Sequence, residues 1–200
     1  GLSPHLRRRG FFFAHAFAAA QDERAALLVG EVGAGKTTTG LALLCAGWRL
    51  LSNDSPLLRA DGRVYAYPGL LSAYPDSLAR FPPLQRLAAV PAERRKTLFA
   101  AESVWPGVWQ DSAPLAAIFF PRIENRAQHA LERLLAPEAL RRLLPHAVEQ
   151  WDREMIPAHL ALLTRLATSV PAYRLRLGPD TDSLAREIGR ALAQAESDER

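Results

Sequence analysis

Eight consecutive residues concentrate the chemistry of this chain: Gly30-Glu31-Val32-Gly33-Ala34-Gly35-Lys36-Thr37, with Thr38 following. They satisfy G-x-x-x-x-G-K-[ST] at every fixed position. Glycine lets the backbone curl until successive N–H groups face inward and form a nest for an anion. A helix beginning at the end of such a loop aims its positive N-terminus at the same point. Lys36 supplies a compact ammonium able to reach the β- and γ-phosphates of a nucleotide, and the Thr37 hydroxyl is suited to ligating magnesium. The chain has only two lysines, Lys36 and Lys96, among 25 basic residues. Elsewhere it uses arginine, so a point charge is what this loop requires. The expected ligand is ATP with Mg2+, held by Gly30, Glu31, Val32, Gly33, Ala34, Gly35, Lys36, Thr37 and Thr38.

The elements around the loop suit that role. Phe11 to Ala20 reads as a buried strand, Gln21–Arg24 as a polar turn, and Ala25 to Val29 as a second buried strand running into the loop. From Lys36 the apolar spacing turns helical through Trp48, with Gly47 placed as a C-terminal glycine. Arg49 to Ser52 is a short strand ending at Asn53-Asp54. Ser55–Arg59 and Arg63–Tyr67 form a hairpin turned at Asp61-Gly62. Residues 68–91 are proline-rich and irregular, with short helical turns. Lys96–Val104, Leu115–Phe120 and Tyr173–Leu177 read as strands. Asn125–Leu135, Pro137–Glu149, Trp151–Ala167 and Asp182–Ala195 read as helices. This mixture is the α/β class, a mixed sheet with a helical C-terminal half.

Asp54 stands at the end of the strand after the loop's helix, where ligands gather in α/β sheets. It is either a functional carboxylate or a turn residue. In "ERRKT", Arg94, Arg95 and Lys96 either neutralise charge on a transferring phosphoryl group or form a solvated turn. Glu31 and Glu102 are weaker candidates for the magnesium surroundings. Trp105 and Trp109 suit core packing better than a ligand pocket.

The segment "GEVGAGKTTTGLALLCAGWRLLSNDSPLL" and the upstream "AHAFAAA" resemble the corresponding region of the HPr kinase/phosphorylase family, including its shorter relatives that phosphorylate lasso-peptide precursors. The resemblance is strong over residues 10–60 and loose beyond, where the "VPAYRLRLG" strand is similar. It implies a P-loop fold shared with ATP-type phosphoenolpyruvate carboxykinase and transfer of the γ-phosphate to a serine hydroxyl. By position, His15 matches the family histidine and Asn53-Asp54 the family's acidic pair. His15 then either tunes the acidic site or is a buried structural histidine. Asn53 cannot act as a base, so Asp54 is left to ligate magnesium, to accept the serine proton, or both. Phosphorolysis of phosphoserine is thereby put in doubt, and the family's later glycine- and arginine-rich motif is missing. The catalytic set implied is Asp54, Lys36 and His15, with Thr37 and Asp54 at the metal.

Composition sets the remaining bounds. Two hundred residues, 48% hydrophobic, fit a single nucleotide-binding domain over residues 1–200. A first residue other than methionine marks a processed chain or a piece of a longer one. The net charge is +4, but the arginines are interleaved with acids, as on solvated helix faces. No nucleic-acid partner is expected, and Arg7-Arg8-Arg9 reads as a solvated terminus. Cys45, the single cysteine, reads as a small core residue and excludes an intrachain disulfide. His5, His129, His146 and His159 read as surface residues. No membrane span or signal peptide is present, so a cytoplasmic location is the default. The expected partner is a protein or peptide carrying an acceptor serine. HPr kinases assemble into oligomers, so the resemblance adds a homo-oligomer that no feature here shows. Two other readings stay open: a nucleotide-binding regulatory module without transfer, favoured by Asn53, and a kinase for free serine or a sugar. No Ser-His-Asp arrangement supports a hydrolase, and no aliphatic strand ending in Asp-Glu follows Asp54 as a nucleic-acid motor would need.

Overall fold

The computed structural model describes residues 3–88, 95–124, 126–147 and 152–199. Helix α1 (Ser3–Arg8) precedes strands β1 (Phe12–Phe13), β2 (Ala16–Gln21) and β3 (Arg24–Val29). Helix α2 (Lys36–Cys45) follows, then strands β4 (Arg49–Ser52), β5 (Leu57–Leu58), β6 (Arg63–Tyr65) and β7 (Leu71–Ala73). Short helices α3 (Pro75–Leu78) and α4 (Gln85–Ala88) lead to strands β8 (Thr97–Phe99), β9 (Ser112–Ile123) and β10 (Ala130–Leu134). Helices α5 (Ala136–Ala147) and α6 (Ile156–Ser169), strand β11 (Ala172–Leu177) and helix α7 (Leu184–Glu199) complete the order.

The sheet is mixed. Strand β9 runs parallel to β3 and β11 and antiparallel to β6, while β2 lies antiparallel between β3 and β4. The C-terminal ends of β3, β4, β9 and β11 therefore emerge along one edge, where β2 begins. Alternation along the strands divides the core in two. Phe17, Ala19, Ala26 and Leu28 pack with α2 and α7, whereas Ala16, Ala18, Leu27 and Val29 pack with α5 and α6. Both faces are covered, which is why these strands are apolar throughout. Leu27 and Leu28, fully buried on opposite faces, each contribute about 2 kcal/mol by leaving water. Small residues let the layers approach closely. A Cβ at Gly40 would lie 2.4 Å from the Phe17 ring, so α2 rests on the sheet with glycine at the contact.

Several expectations are corrected. The strand expected over Phe11–Ala20 is broken at Ala14-His15: Phe12-Phe13 pairs with β5, and Ala16 onward pairs with β3 and β4. Of the helix expected over Asn125–Leu135, Asn125 lies outside the described residues and Ala130–Leu134 is instead strand β10, antiparallel to β11. Its helix-forming residues yield to a cross-strand pairing in which Glu132 bonds Arg174 at 3.0 Å and Arg176 at 2.7 Å. Of Lys96–Val104 only β8 is strand, and it forms a two-stranded ribbon with β7. Cys45 is exposed at the end of α2. His159 is buried against Phe12, with ring centroids 4.5 Å apart. Arg7 is fully buried and bonds Asp152 at 3.0 Å through Nε, so the arginine run anchors α1 rather than fraying. No helix among the described residues is long and apolar enough to cross a membrane.

Candidate functional site

The glycine-rich loop leaves β3 at the shared sheet edge and turns into α2. Gly33 and Gly35 adopt φ of +85° and +104°, values that side-chain-bearing residues reach at a cost of about 1–3 kcal/mol. A Cβ on Gly35 would also stand 2.4 Å from Leu177 Cδ1, so the loop is pressed against the end of β11. No side chain caps α2. Its first amides are left directed at the hollow of the loop, the arrangement an anion requires.

Lys36 is only 8% exposed. Its ammonium donates to the carbonyl oxygens of Gly30 and, at 3.0 Å, of Glu31. Burial lowers its pKa, and so does nearby Lys96, while Asp54 and Glu31 act in the opposite sense. The charge is thus held in place with its strongest acceptors, carboxylates, at a distance. Both lysines of the chain face the same cleft of about 260 Å³. Lys96 also lies over the Tyr74 ring at 5.5 Å. Arg95 is exposed and does not line the cleft, and Arg94 lies outside the described residues.

His15 sits at the break between β1 and β2, where its N–H donates to the His146 carbonyl at 2.6 Å. The Ala16 N–H donates to the Asp54 carbonyl at 3.1 Å, which fixes Asp54 beside it. The His15 Nδ1 lies 3.0 Å from Asp54 Oδ1, and the Asp54 side chain is 63% exposed toward the cleft. With Nδ1–H donating to Asp54, the histidine orients the carboxylate. His146 packs close by, its ring centroid 6.4 Å from that of His15. Burial lowers the His146 pKa, with Lys36 and His15 adding to the effect and Glu31 opposing it.

Asn53 has a different task from Asp54. Its Nδ2 donates to the Leu70 carbonyl at 3.0 Å, tying the β4 end to the β7–β8 ribbon. That ribbon and α3 wall the cleft through Ser72, Tyr74 and Ser77, and Ser77 pairs with Thr38 at 3.3 Å. No local signal marked these wall residues, because the ribbon pairs Leu71–Ala73 with Thr97–Phe99 across more than twenty residues of chain. Glu102 is corrected: it accepts from the Gly107 N–H at 2.7 Å and closes a turn away from the cleft. Trp105 and Trp109 pack against the core.

The residues present fit ATP with magnesium. Thr37 and Asp54 line one cleft, and among the described residues no group of three His, Cys, Asp or Glu side chains forms a metal-holding cluster, in this cleft or outside it. An ion there would take most of its oxygens from the nucleotide and water, as magnesium does. A second cavity of about 360 Å³ continues from Gly35, Thr38 and Ser77 past Leu177, Gly178 and Leu184. Its wall mixes Leu177 and Leu184 with Asp76, Arg80, Arg126 and His129, apolar surface and hydrogen-bonding groups of the kinds a ribose and base would meet.

No protein-family model matches the chain, and no curated protein matches it. Among solved structures it is similar to the HPr(Ser) kinase/phosphatase from Coxiella burnetii. The likeness has a TM-score of 0.47 and 10% identity, and spans 93% of this chain and 97% of that one.

Proposed function

We propose that the chain is an ATP-dependent kinase that transfers the γ-phosphate to a serine hydroxyl of a small protein or peptide. The observation that carries this reading is convergence: a capless helix start, both lysines and the His15–Asp54 pair meet in one cleft. Lys36 and the loop amides grip the β- and γ-phosphates, and the base and ribose extend toward Gly178. Thr37 and Asp54 would hold magnesium together with the nucleotide's own oxygens, and the ion would supply positive charge against the phosphates. Asp54, oriented by His15, accepts the hydroxyl proton as the serine Oγ–P bond forms and the bond from the γ-phosphorus to the bridging oxygen of ADP breaks. Lys96 faces the same charge from the ribbon. Most of the rate comes from positioning and charge neutralisation.

The experiment is incubation with γ-labelled ATP, magnesium and serine peptides. Label should appear on serine, and Asp54→Asn should reduce it by about a hundredfold while a fluorescent ATP analogue still binds. Full transfer by Asp54→Asn would remove Asp54 from the chemistry. Asn53, committed to Leu70, leaves one carboxylate where two would divide the work. That favours as second reading a nucleotide-binding regulatory module, for which binding persists and no peptide, free serine or sugar takes up label.

A further inference from the structure

The loop has a second side. Behind it, over α5, lies a cavity of about 560 Å³, bounded by the loop itself and by Arg122, Arg141, Arg142, Arg174 and His146. These arginines come from β9, α5 and β11. They are far apart in sequence and are gathered only by the parallel pairing of β9 with β11 and by α5 packing across them.

Their charges are not equally committed. Glu138 takes 2.8 Å bonds from both Arg142 and Arg174, and Arg174 also bonds Glu132 at 3.0 Å. Arg141 is 72% exposed and reaches Glu138 only at 3.9 Å. Arg122 is exposed and forms no ion pair among the described residues. The one carboxylate on the cavity wall is Glu31. Two guanidinium groups therefore face the opening with their charge available.

Position gives the cavity its meaning. It shares Glu31, Val32 and Gly33 with the phosphate cleft. It meets the loop at the end where Lys36 bonds Gly30 and Glu31, opposite the end that continues toward Gly178. His146 links it to the His15–Asp54 pair through the His15 N–H. Through the shared loop residues the cavity adjoins the phosphate cleft, the adjacency that an acceptor site for phosphoryl transfer requires. Val32, 80% exposed, stands at the crest between the two hollows.

Resting on the kinase reading above, we propose that this cavity seats the acceptor, and that the acceptor is an acidic polypeptide segment with glutamate or aspartate flanking the serine. Arg122 and Arg141 pair with those carboxylates. The cavity has about twice the volume of the cleft that takes the phosphates, which favours a peptide over free serine. The transfer step is the one described above.

The test uses fluorescein-labelled peptides with a central serine flanked by glutamates, by glutamines or by lysines, with magnesium and a non-hydrolysable ATP analogue. Glutamate-flanked peptide should bind about tenfold more tightly than the glutamine version at low ionic strength, and the gap should close as salt rises. Arg122→Glu with Arg141→Glu should abolish the preference. Both side chains are exposed, and unchanged binding of a fluorescent ATP analogue reports an intact fold. Equal binding of all three peptides, no binding of any, or a preference surviving the double reversal would overturn the proposal. So would equal competition by oligothymidylate of matched charge, which would mark a general polyanion surface. Selective binding without label transfer from ATP would instead overturn the kinase reading and leave acidic docking standing. Label transfer equal on all three peptides would do the reverse.

Discussion

Two buried cations, Arg7 and Lys36, show how this molecule separates architecture from chemistry. Arg7 is fully buried and bonds Asp152 directly at 3.0 Å, near His159 Nδ1 at 3.5 Å. Its charge is matched by a carboxylate that is itself buried, and the pair fastens the N-terminal helix to the segment before α6. Lys36 is almost as buried, yet it is bonded only to two loop carbonyls, and among the described residues it forms no ion pair. A buried charge without a counter-ion is costly. Keeping one on a loop with free helix amides makes sense where an anion is the missing partner. Arginine, with its fork of donors, serves the permanent pair; lysine serves the provisional one.

Breaking each cation separately should give opposite signatures. Arg7→Met leaves the buried Asp152 to the half-exposed Arg8 alone, 3.1 Å away, and should cost about 2–3 kcal/mol, read as a fall in the urea midpoint, with ATP-analogue binding per folded molecule unchanged. If stability held within about 0.5 kcal/mol, the range of ordinary surface substitutions, Arg7 would not be an anchor. Lys36→Met keeps the apolar stem and removes a desolvated charge. Stability should change by less than about 1.5 kcal/mol, while label transfer from ATP falls by about 10²–10³. A Lys36→Met protein that transfers normally would remove the ammonium from the mechanism.

The Arg7 region should also respond to acid. Burial, reinforced by the Arg7 charge, lowers the His159 pKa to about 4. In the unfolded chain this imidazole takes up its proton near pH 6.5. Between those values the unfolded state binds more protons, so stability is complete above about pH 6.5 and is lost as pH falls toward 4, by about 3 kcal/mol. Urea midpoints from pH 7 to 4 should follow that slope, and His159→Gln should flatten it. An identical slope in the variant would place the acid sensitivity elsewhere.

What the sequence revealed follows the range of each interaction. The loop was legible because its turn is set by its own consecutive glycines and the helix they lead into, and β4 and the Asp61-Gly62 hairpin were legible for the same local reason. The His15–Asp54 contact came only through resemblance, since 38 residues and a sheet edge separate the two. Arg7 was misread because Asp152, the residue that defines it, lies 145 positions away. The arginine cavity was invisible because Arg122, Arg141 and Arg174, each interleaved with acids along the chain, meet only once β9, β11 and α5 are assembled. Strand β10 was read as a helix because "ALERLL" is built of helix formers, and only its pairing with β11 decides otherwise.

The smallest expected effect concerns Asn53, the residue that separates the two roles within one dipeptide. Its Nδ2 donates to the Leu70 carbonyl at 3.0 Å, and a carboxylate cannot donate there. Asn53→Asp should therefore lose about 1 kcal/mol of stability, since the Leu70 carbonyl is exposed to water and finds a replacement donor. The β7–β8 ribbon, which carries Ser72 and Tyr74 to the cleft, should loosen, so KM for ATP should rise by severalfold more than kcat changes. Hydrogen exchange at Leu71–Ala73 reports the loosening directly. If instead kcat rose markedly at unchanged exchange, the second carboxylate would be joining the chemistry, and Asn53 would have to be read as a muted catalytic position rather than a clamp.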